Sequence, residues 1–357
     1  MVKRYLVIGI ILSLFCMSIT PSFAVDNVKC SSNPLSKKSV IIVDDEGDGD
    51  YTSIKDALNN ADPGDIIEVY SGTYYEYGID IEIEEITLKG ISYELGSGND
   101  TGKPLIHGQG QGKVMTIWAQ GFTITGFRIE NGGGTIGCGI IGTRKGADNC
   151  VISNNDIAHA ITGCVGIISD NNKIINNNIS YSALRQGIAL GEQCTNNLIS
   201  GNNISYVEDG IKLWSSDHNT VIGNKVSKCS RFAIDVASNG NYIKGNSIEN
   251  NSDGVHIYGG SNNHVEGNAI KDNYVGVHMV GGVNNHIKNN NFINNEKHVF
   301  FNFIFPFIIS IITNGFNGNY WDDWIGFGPK LIWGALLFIP WVKMDWHPAK
   351  EPYDIGF

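Results

Sequence analysis

The chain repeats one phrase at a fixed interval. Residues 262–270 read NNHVEGNAI, and residues 284–292 read NNHIKNNNF. In every unit one asparagine has an apolar residue three positions before it and another two positions after it, as Asn268 has Val265 and Ile270. With one longer step, this asparagine recurs every 22 residues, at Asn155, Asn177, Asn202, Asn224, Asn246, Asn268 and Asn290. Such a repeat predicts a solenoid in which each unit forms one turn.

Apolar and polar residues alternate inside a unit. The stretch Gly254-Val255-His256-Ile257-Tyr258 is typical, and β-branched residues dominate the apolar positions. Alternation indicates short strands with one buried face, whereas helical repeats need about 33 to 47 residues and a leucine-rich repeat needs several leucines per unit. We therefore predict an all-β fold, a single-stranded parallel β-helix. Its turns stack about 4.8 Å apart, and its asparagines hydrogen-bond from turn to turn.

The first 24 residues have the pattern of a secretory signal. Lys3 and Arg4 precede an apolar run, and Ser22-Phe23-Ala24 supplies small residues for cleavage. We expect residues 1–24 to be a signal peptide and residues 25–39 a linker, with a retained membrane anchor as the alternative.

The charge and the cysteines limit the partners and the redox chemistry. A formal charge of −11 argues against nucleic acid and anionic membranes, and against a polyanionic substrate unless a cation bridges the two. No CxxC pair occurs, so a structural zinc site is not expected. Cys138 and Cys164 lie at similar points of successive turns, which permits either a disulfide or buried free thiols.

Both ends of the solenoid need a cover, because unpaired strand edges invite association. In residues 40–115, the N-terminal cap and first turns, helical spacing begins at Ile54 and the sequence DPG ends it. The acidic turn DDEGDGD at residues 44–50 lacks the glutamate of a calcium loop, so we interpret it as a solvated turn. Residues 116–298 form the repeats, and residues 299–357 form the last turn and an aromatic-rich cap. Two apolar stretches in this last segment are too short to span a membrane, although docking to a membrane or a partner is the alternative.

Parts of the chain resemble known families. GDGDYTSIKDALNNADPGDIIEVYSGTYYEYGIDIEIEEITLKG, residues 47–90, resembles the start of many secreted right-handed β-helix proteins. The repeats resemble the NosD-like group, described as periplasmic copper-binding β-helix proteins, and also carbohydrate-binding and sugar-hydrolase β-helix domains. The ending NYWDDW…DWHPAKEPYDI resembles tails of NosD-like archaeal surface proteins. The resemblance implies a right-handed helix, export, and a carbohydrate or copper ligand.

Three aspartates are the candidate catalytic residues. Hydrolases that resemble polygalacturonases use several aspartates on adjacent turns, one as acid and one as base. Asp209, Asp235 and Asp253 lie in successive repeats, and Asn251-Ser252-Asp253-Gly254 resembles a motif of that family. The family's other elements are absent, and an aspartate before glycine also suits a turn. Lys212 and Arg231 are candidates for the base of a lyase.

Four histidines are the candidate metal ligands. His256 and His278 are 22 residues apart, and so are His264 and His286. Their apolar neighbours should point inward, so all four imidazoles should point outward, and each pair can share a copper or zinc ion. The alternative is that histidine only fills exposed strand positions.

The sequence predicts an exported protein that binds carbohydrate or a metal such as copper at the cell surface or in the periplasm, with no membrane span in the mature chain. A polysaccharide-acting hydrolase or lyase and a structural envelope protein are the alternatives. The oligomeric state stays open.

Overall fold

The computed structural model describes residues 38–96, 98–133, 141–182, 185–303, 313–336 and 339–356. The signal segment, most of the linker and Cys138 lie outside these ranges, as does most of the apolar stretch 299–312. The described chain is an all-β, right-handed parallel solenoid with almost no helix.

The strands are short and follow one another along the chain. The first twelve are β1 (Val40–Val43), β2 (Ile66–Val69), β3 (Thr73–Tyr74), β4 (Ile79–Ile81), β5 (Thr87–Gly90), β6 (Leu105–His107), β7 (Met115–Ile117), β8 (Thr123–Thr125), β9 (Arg128–Glu130), β10 (Ile141–Thr143), β11 (Val151–Ser153) and β12 (Asp156–Ala158). The next twelve are β13 (Val165–Ile167), β14 (Lys173–Ile175), β15 (Asn178–Ser180), β16 (Ile188–Leu190), β17 (Leu198–Ser200), β18 (Asn203–Ser205), β19 (Asp209–Trp214), β20 (Thr220–Ile222), β21 (Lys225–Ser227), β22 (Phe232–Ala237), β23 (Tyr242–Lys244) and β24 (Ser247–Glu249). The last are β25 (Asp253–Tyr258), β26 (His264–Glu266), β27 (Ala269–Lys271), β28 (Val275–Val280), β29 (His286–Lys288), β30 (Asn291–Ile293), β31 (Lys297–Phe303), β32 (Gly315–Asn317), β33 (Tyr320–Trp321), β34 (Lys330–Leu336) and β35 (Ile339–Asp345). The helix α1 (Ile54–Asn59) lies between β1 and β2.

Three faces run along the solenoid. From β7 onward each strand pairs in parallel with the strand three places later in the chain. Every third strand from β7 to β31 belongs to face 1, every third strand from β8 to β32 to face 2, and every third strand from β9 to β33 to face 3. On face 1 the strands β19, β22, β25 and β28 have six residues each, whereas those of faces 2 and 3 have two or three. Face 1 therefore presents the longest outward rows of side chains.

The alternation read from the sequence sets the core. On β25 the side chains of Val255 and Ile257 are fully buried, while Tyr258 is exposed. Val277 and Met279 lie directly above the two buried residues on the next turn. Like residues thus stack in columns, and one narrow apolar core fills the coil.

The predicted asparagine ladder is present. Asn246 Oδ1 accepts from the main-chain N–H of Asn224 at 2.9 Å, and Asn246 Nδ2 donates to Asn268 Oδ1 at 2.9 Å. The pattern continues to Asn319, and Asp345 then takes the last position and accepts from the main-chain N–H of Asn319 at 2.9 Å. A carboxylate suits the end of this ladder, because it accepts hydrogen bonds and has nothing to donate.

Two further ladders support the other corners of the coil. One lies between faces 1 and 2 and contains Asn172, Asn197, Asn219, Asn241, Asn263, Asn285 and Asn314. A shorter one lies between faces 3 and 1 and contains Asn251, Asn273 and Asn295. The buried main-chain N–H groups that precede the strands are satisfied in this way, as burial requires.

The ends depart from the regular coil. The helix α1 begins at Ile54, as the sequence indicated, and the hydroxyl of Ser53 before it accepts from Asp56 N at 3.3 Å. At the other end β34 and β35 form an antiparallel hairpin. That either segment covers an open end of the core stays a prediction. Within the described ranges, no helix is long and apolar enough to cross a membrane.

The described cysteines are buried. Cys150, Cys194 and Cys229 are free thiols whose pKa values burial raises to about 11, about 11 and about 12. Because Cys138 lies outside the described residues, its pairing with Cys164 stays untested.

Candidate functional site

Face 1 brings the three candidate aspartates together with one of the two histidine pairs. Lys212, Asp235, His256, His278 and Phe300 occupy one outward column, each beside the next on adjacent strands. A second column, at the start of the same strands, contains the other two aspartates, Asp209 and Asp253, with Phe232 between them. The second histidine pair lies on face 2, away from this group.

The histidines of face 1 form two aspartate–histidine dyads. His256 Nδ1 lies 2.8 Å from Asp235 Oδ1, and His278 Nδ1 lies 2.8 Å from Asp253 Oδ2. The two rings are neighbours, with centroids 5.2 Å apart. A neutral ring that donates Nδ1–H to a carboxylate keeps Nε2 as an acceptor. Each dyad therefore holds an imidazole in the orientation and tautomer of a general base, as second partners of histidine do in enzymes.

Two cations complete the network below the dyads. Arg231 forms a two-pronged ion pair with Asp209, with Nε 2.8 Å from Oδ1. Lys212 Nζ lies 3.6 Å from both Asp209 and Asp235, and also 4.7 Å from the ring centre of Trp214. Asp209 is completely buried, and a carboxylate in such a place needs paired charges. The Asp209 pair raises the pKa of Arg231 still further, so this guanidinium is a fixed positive charge.

Aromatic rings flank the dyads on both sides. Phe232 stacks on His256 with the ring centroids 4.1 Å apart, and Phe300 lies 5.4 Å from His278. Tyr258 extends from the same strand as His256 and is 61% exposed. The contact with Phe232 leaves His256 only 8% exposed, so its imidazole faces outward from the coil but is shielded from bulk water by its neighbours.

A cavity of about 900 Å³ adjoins this site at the corner between faces 3 and 1. Arg231 lines it together with Tyr181, Tyr206 and Lys228. The two tyrosines stack at 5.1 Å, and Lys228 Nζ donates to the hydroxyl of Tyr206 at 2.6 Å. The surface beside the charged network is therefore concave, aromatic and polar, which is the composition of sites for small organic ligands.

A second cavity continues face 1 toward the N-terminus. It has a volume of about 310 Å³. The outward column contains only Gly142, Gly166 and Ala189 there, while Arg144 and Gln186 line the sides. Small residues in the column lower the floor of face 1 within this cavity, and Lys212 follows Ala189 in the same column.

The histidine pair of face 2 has a different environment. His264 and His286 are paired across adjacent strands, with ring centroids 5.2 Å apart, and Tyr242 stacks on His264 at 4.7 Å. Burial, helped by the charges of Lys288 and His264, lowers the pKa of His286. In the described part of the chain, the groups of three or more ligands that lie close enough to hold one ion include none of the four predicted histidines. Two-histidine binding of copper or zinc stays a prediction for both pairs.

A separate charged cluster lies near the C-terminus. His298 Nε2 is 2.8 Å from Asp322 Oδ1 and 3.2 Å from Asp323 Oδ1, in the wall of a cavity of about 590 Å³. Lys330 pairs with Asp323, and burial lowers the pKa of His298. The positive charge of Lys330 already neutralises one carboxylate, so we interpret the cluster as one ion pair joined to the hydrogen bonds of His298.

The comparisons with known proteins agree on the fold. Residues 138–292 match the model of the family described as right handed beta helix region. No curated protein matches the chain in sequence. Among solved structures, the complex of XylC with xylose is 13% identical, with a TM-score of 0.53 over 83% of this chain and 75% of that one.

Two other solved structures are similar to a comparable degree. The A-module of the mannuronan C-5 epimerase AlgE6 of Azotobacter vinelandii is 15% identical, with a TM-score of 0.50 over 74% of this chain and 87% of that one. The Dettilon tailspike protein is 14% identical, with a TM-score of 0.50 over 78% and 68%. At these identities the similarity shows the right-handed β-helix and leaves the activity to the site itself.

Proposed function

We propose that this protein binds a polysaccharide along face 1 and transfers protons on it at the two aspartate–histidine dyads. The observation that carries the proposal is the pair of oriented imidazoles, His256 and His278, on adjacent turns of one outward column. Each of the two imidazoles is held by a carboxylate at 2.8 Å, and the two rings are neighbours. They suit a general base and a general acid that act on one bound sugar.

The shape of face 1 favours a long, repetitive ligand. Its outward column runs from the small residues at Gly166 to Phe300, along the axis on which the turns stack, and a cavity lies at the Gly166 end. Aromatic rings and charged groups lie next to one another along this path, and both help to bind a sugar, which has apolar ring faces and many hydroxyls. Proteins of similar fold include one solved with xylose and one named for its action on mannuronan, which supports a carbohydrate ligand.

The charges favour proton abstraction over hydrolysis by paired carboxylates. A hydrolase of the second type needs one protonated carboxyl group. Here Asp209 accepts from Arg231, and Asp235 and Asp253 each accept from an imidazole. These three aspartates therefore act as positioning residues, and the histidines carry the proton. Lys212 and Arg231 would stabilise the negative charge that develops beside a carboxylate or carbonyl group of the sugar.

Binding without turnover is the second candidate function. It rests on the shielding of His256, which limits access to the ring. This second candidate is the ligand-binding module that the sequence predicts. Metal binding at His264 and His286 would be a separate property, because these residues lie on face 2.

The place of action in this proposal is the cell surface or the periplasm. The support is the signal-like pattern of residues 1–24 and the similarity of the repeats to NosD-like proteins. Detection of the protein with Met1 intact in the cytosol would contradict export.

A panel of neutral and uronate-containing polysaccharides tests the proposal. Three readouts distinguish the reactions: reducing ends for hydrolysis, ultraviolet absorbance of unsaturated ends for elimination, and exchange of carbon-bound hydrogen in D2O for epimerisation. We expect elimination or exchange, with a loss of about 100-fold or more in His256→Ala and in His278→Ala, the range for removal of a general acid or base.

The matched control is His264→Ala, the same substitution on face 2, which should leave the rate unchanged. Binding without any product would select the second candidate. Neither binding nor product across the panel, or equal rates in all three variants, would overturn the proposal.

A further inference from the structure

Five carboxylates meet near the N-terminal end of the solenoid. Three of them, Asp44, Asp45 and Glu46, belong to the acidic turn that follows β1. Oxygens of these three lie within 4.8 Å of one another, and so do oxygens of Glu46, Glu94 and Asp100. Glu46 is common to both groups, so the acidic turn and the segment after β5 converge on one place.

Two carboxylate oxygens in this cluster are buried without a hydrogen-bond donor. They are Oδ1 of Asp44, a residue with no exposed surface, and Oδ1 of Asp45. The opposite oxygen of each group is held by the main chain. Asp44 Oδ2 accepts from the N–H groups of Gly47 and Asp48 at 3.1 and 3.0 Å, and Asp45 Oδ2 accepts from Thr73 at 2.9 Å. The turn therefore fixes both carboxylates and leaves one oxygen of each available.

The cluster contains only groups of negative charge. Among the residues that the structure describes, none of the ion pairs between a carboxylate and Lys, Arg or His involves any of the five. A buried, unpaired carboxylate is costly unless a charge of opposite sign is bound.

We propose that these carboxylates bind one Ca²⁺ ion. Calcium takes six to eight oxygen ligands at about 2.3 to 2.6 Å, so two ligands on opposite sides of one ion lie about 5 Å apart, which fits the spacing of both groups. Magnesium keeps several of its waters and seldom occupies a cage made only of protein oxygens. A divalent cation here joins the turn after β1 to the segment after β5, and thereby fastens the first turns of the coil.

The sequence pattern alone does not reveal this site. A calcium loop of the EF-hand type takes its ligands from one run of twelve residues, whereas these ligands come from two segments brought together by the coil. The interpretation of residues 44–50 as a solvated turn also overlooked the burial of Asp44.

Calcium titration of the full chain tests the proposal. The protein is stripped with a chelator and titrated with CaCl2 and, separately, with MgCl2 in a calorimeter, and thermal unfolding is followed at each concentration. We expect one Ca²⁺ per chain, weaker binding of Mg²⁺, and a midpoint of unfolding that rises with each tenfold increase in Ca²⁺, as linkage requires for a ligand of the native state.

The variant is Glu46→Gln/Asp100→Asn, in which both changed residues are exposed, so folding should be preserved. The matched control, Glu82→Gln/Glu84→Gln, removes the same charge from exposed positions outside the cluster. We expect the variant to bind Ca²⁺ at least tenfold more weakly and the control to bind as the wild type does. No Ca²⁺ binding by the wild type, or an equal loss in variant and control, would overturn the proposal.

Discussion

Replacement of Asn246 by alanine should weaken the coil far more than its small size suggests. Asn246 lies in the middle of the longest ladder and is completely buried. Its Oδ1 accepts from the main-chain N–H of Asn224 at 2.9 Å and from the side-chain amide of Asn224 at 3.0 Å. Its Nδ2 donates to Val221 O at 3.0 Å and to Asn268 Oδ1 at 2.9 Å.

The magnitude follows from what the substitution leaves behind. In Asn246→Ala the buried N–H of Asn224 loses its acceptor, which costs about 1 to 3 kcal/mol. The side-chain amide of Asn224 keeps Ile199 O at 2.9 Å, so its loss is smaller, and the bonds from Nδ2 add about 1 kcal/mol in net terms. We expect the free energy of unfolding to fall by about 2 to 4 kcal/mol.

Urea unfolding, followed by circular dichroism and by tryptophan fluorescence, measures the change. The control is Asn203→Ala, in which an exposed asparagine loses only its bond from Nδ2 to Asn178 Oδ1 at 3.0 Å. An exposed position of this kind should cost no more than about 0.5 kcal/mol. Equal losses in the two variants would refute the role of the buried ladder.

Three further outcomes follow from the described environments. Burial lowers the pKa of His298. The contribution of His298 to stability is therefore complete above about pH 6.5, the pKa in the unfolded chain, and is lost as the pH falls further. The urea midpoint should rise from about pH 5 to about pH 8, and a pH dependence of the midpoint that is unchanged in His298→Gln would contradict this. Iodoacetamide at about pH 8 should leave Cys150 and Cys229 unmodified in the native protein, because burial raises the pKa values of their thiols to about 11 and about 12. If mass spectrometry finds either thiol alkylated before the protein unfolds, the burial of these cysteines is refuted. Titration with Cu²⁺ or Zn²⁺ should show binding that weakens below about pH 6.5, and binding that is unchanged in His264→Ala/His286→Ala would exclude the pair on face 2.

The periodicity of the sequence was enough to predict the coil. A residue and its equivalent 22 positions later do stand on adjacent turns, as His256 and His278 show, and the buried asparagines are the ones that the repeat marks. The ladder between faces 1 and 2 was missed, although Asn219, Asn241 and Asn263 have the same spacing. The shared period was attributed to a single ladder, whereas a coil with three corners needs a polar support at each corner.

The candidate site was predictable only in part. The sequence identified the aspartates and histidines of face 1 and placed His256 beside His278, as the register shows. It did not reveal that each of these histidines also contacts an aspartate. The step between β22 and β25 is 21 residues, which places Asp235 beside His256. Asp253 reaches His278 along a diagonal, across 25 residues. Neither contact joins residues that are 22 positions apart. Both contacts depend on the length of individual turns and on the direction of the side chains, which the repeat does not specify.

The most direct test of the account is a crystal structure with an oligosaccharide of the polysaccharide on which the protein acts. We predict that the oligosaccharide lies along face 1, parallel to the solenoid axis, with one sugar within hydrogen-bonding distance of Nε2 of His256 or His278. Lys212 or Arg231 should lie next to the carboxylate or carbonyl group of that sugar. An oligosaccharide bound on face 2, on face 3 or in the cavity beside His298, with face 1 empty, would contradict the central claim.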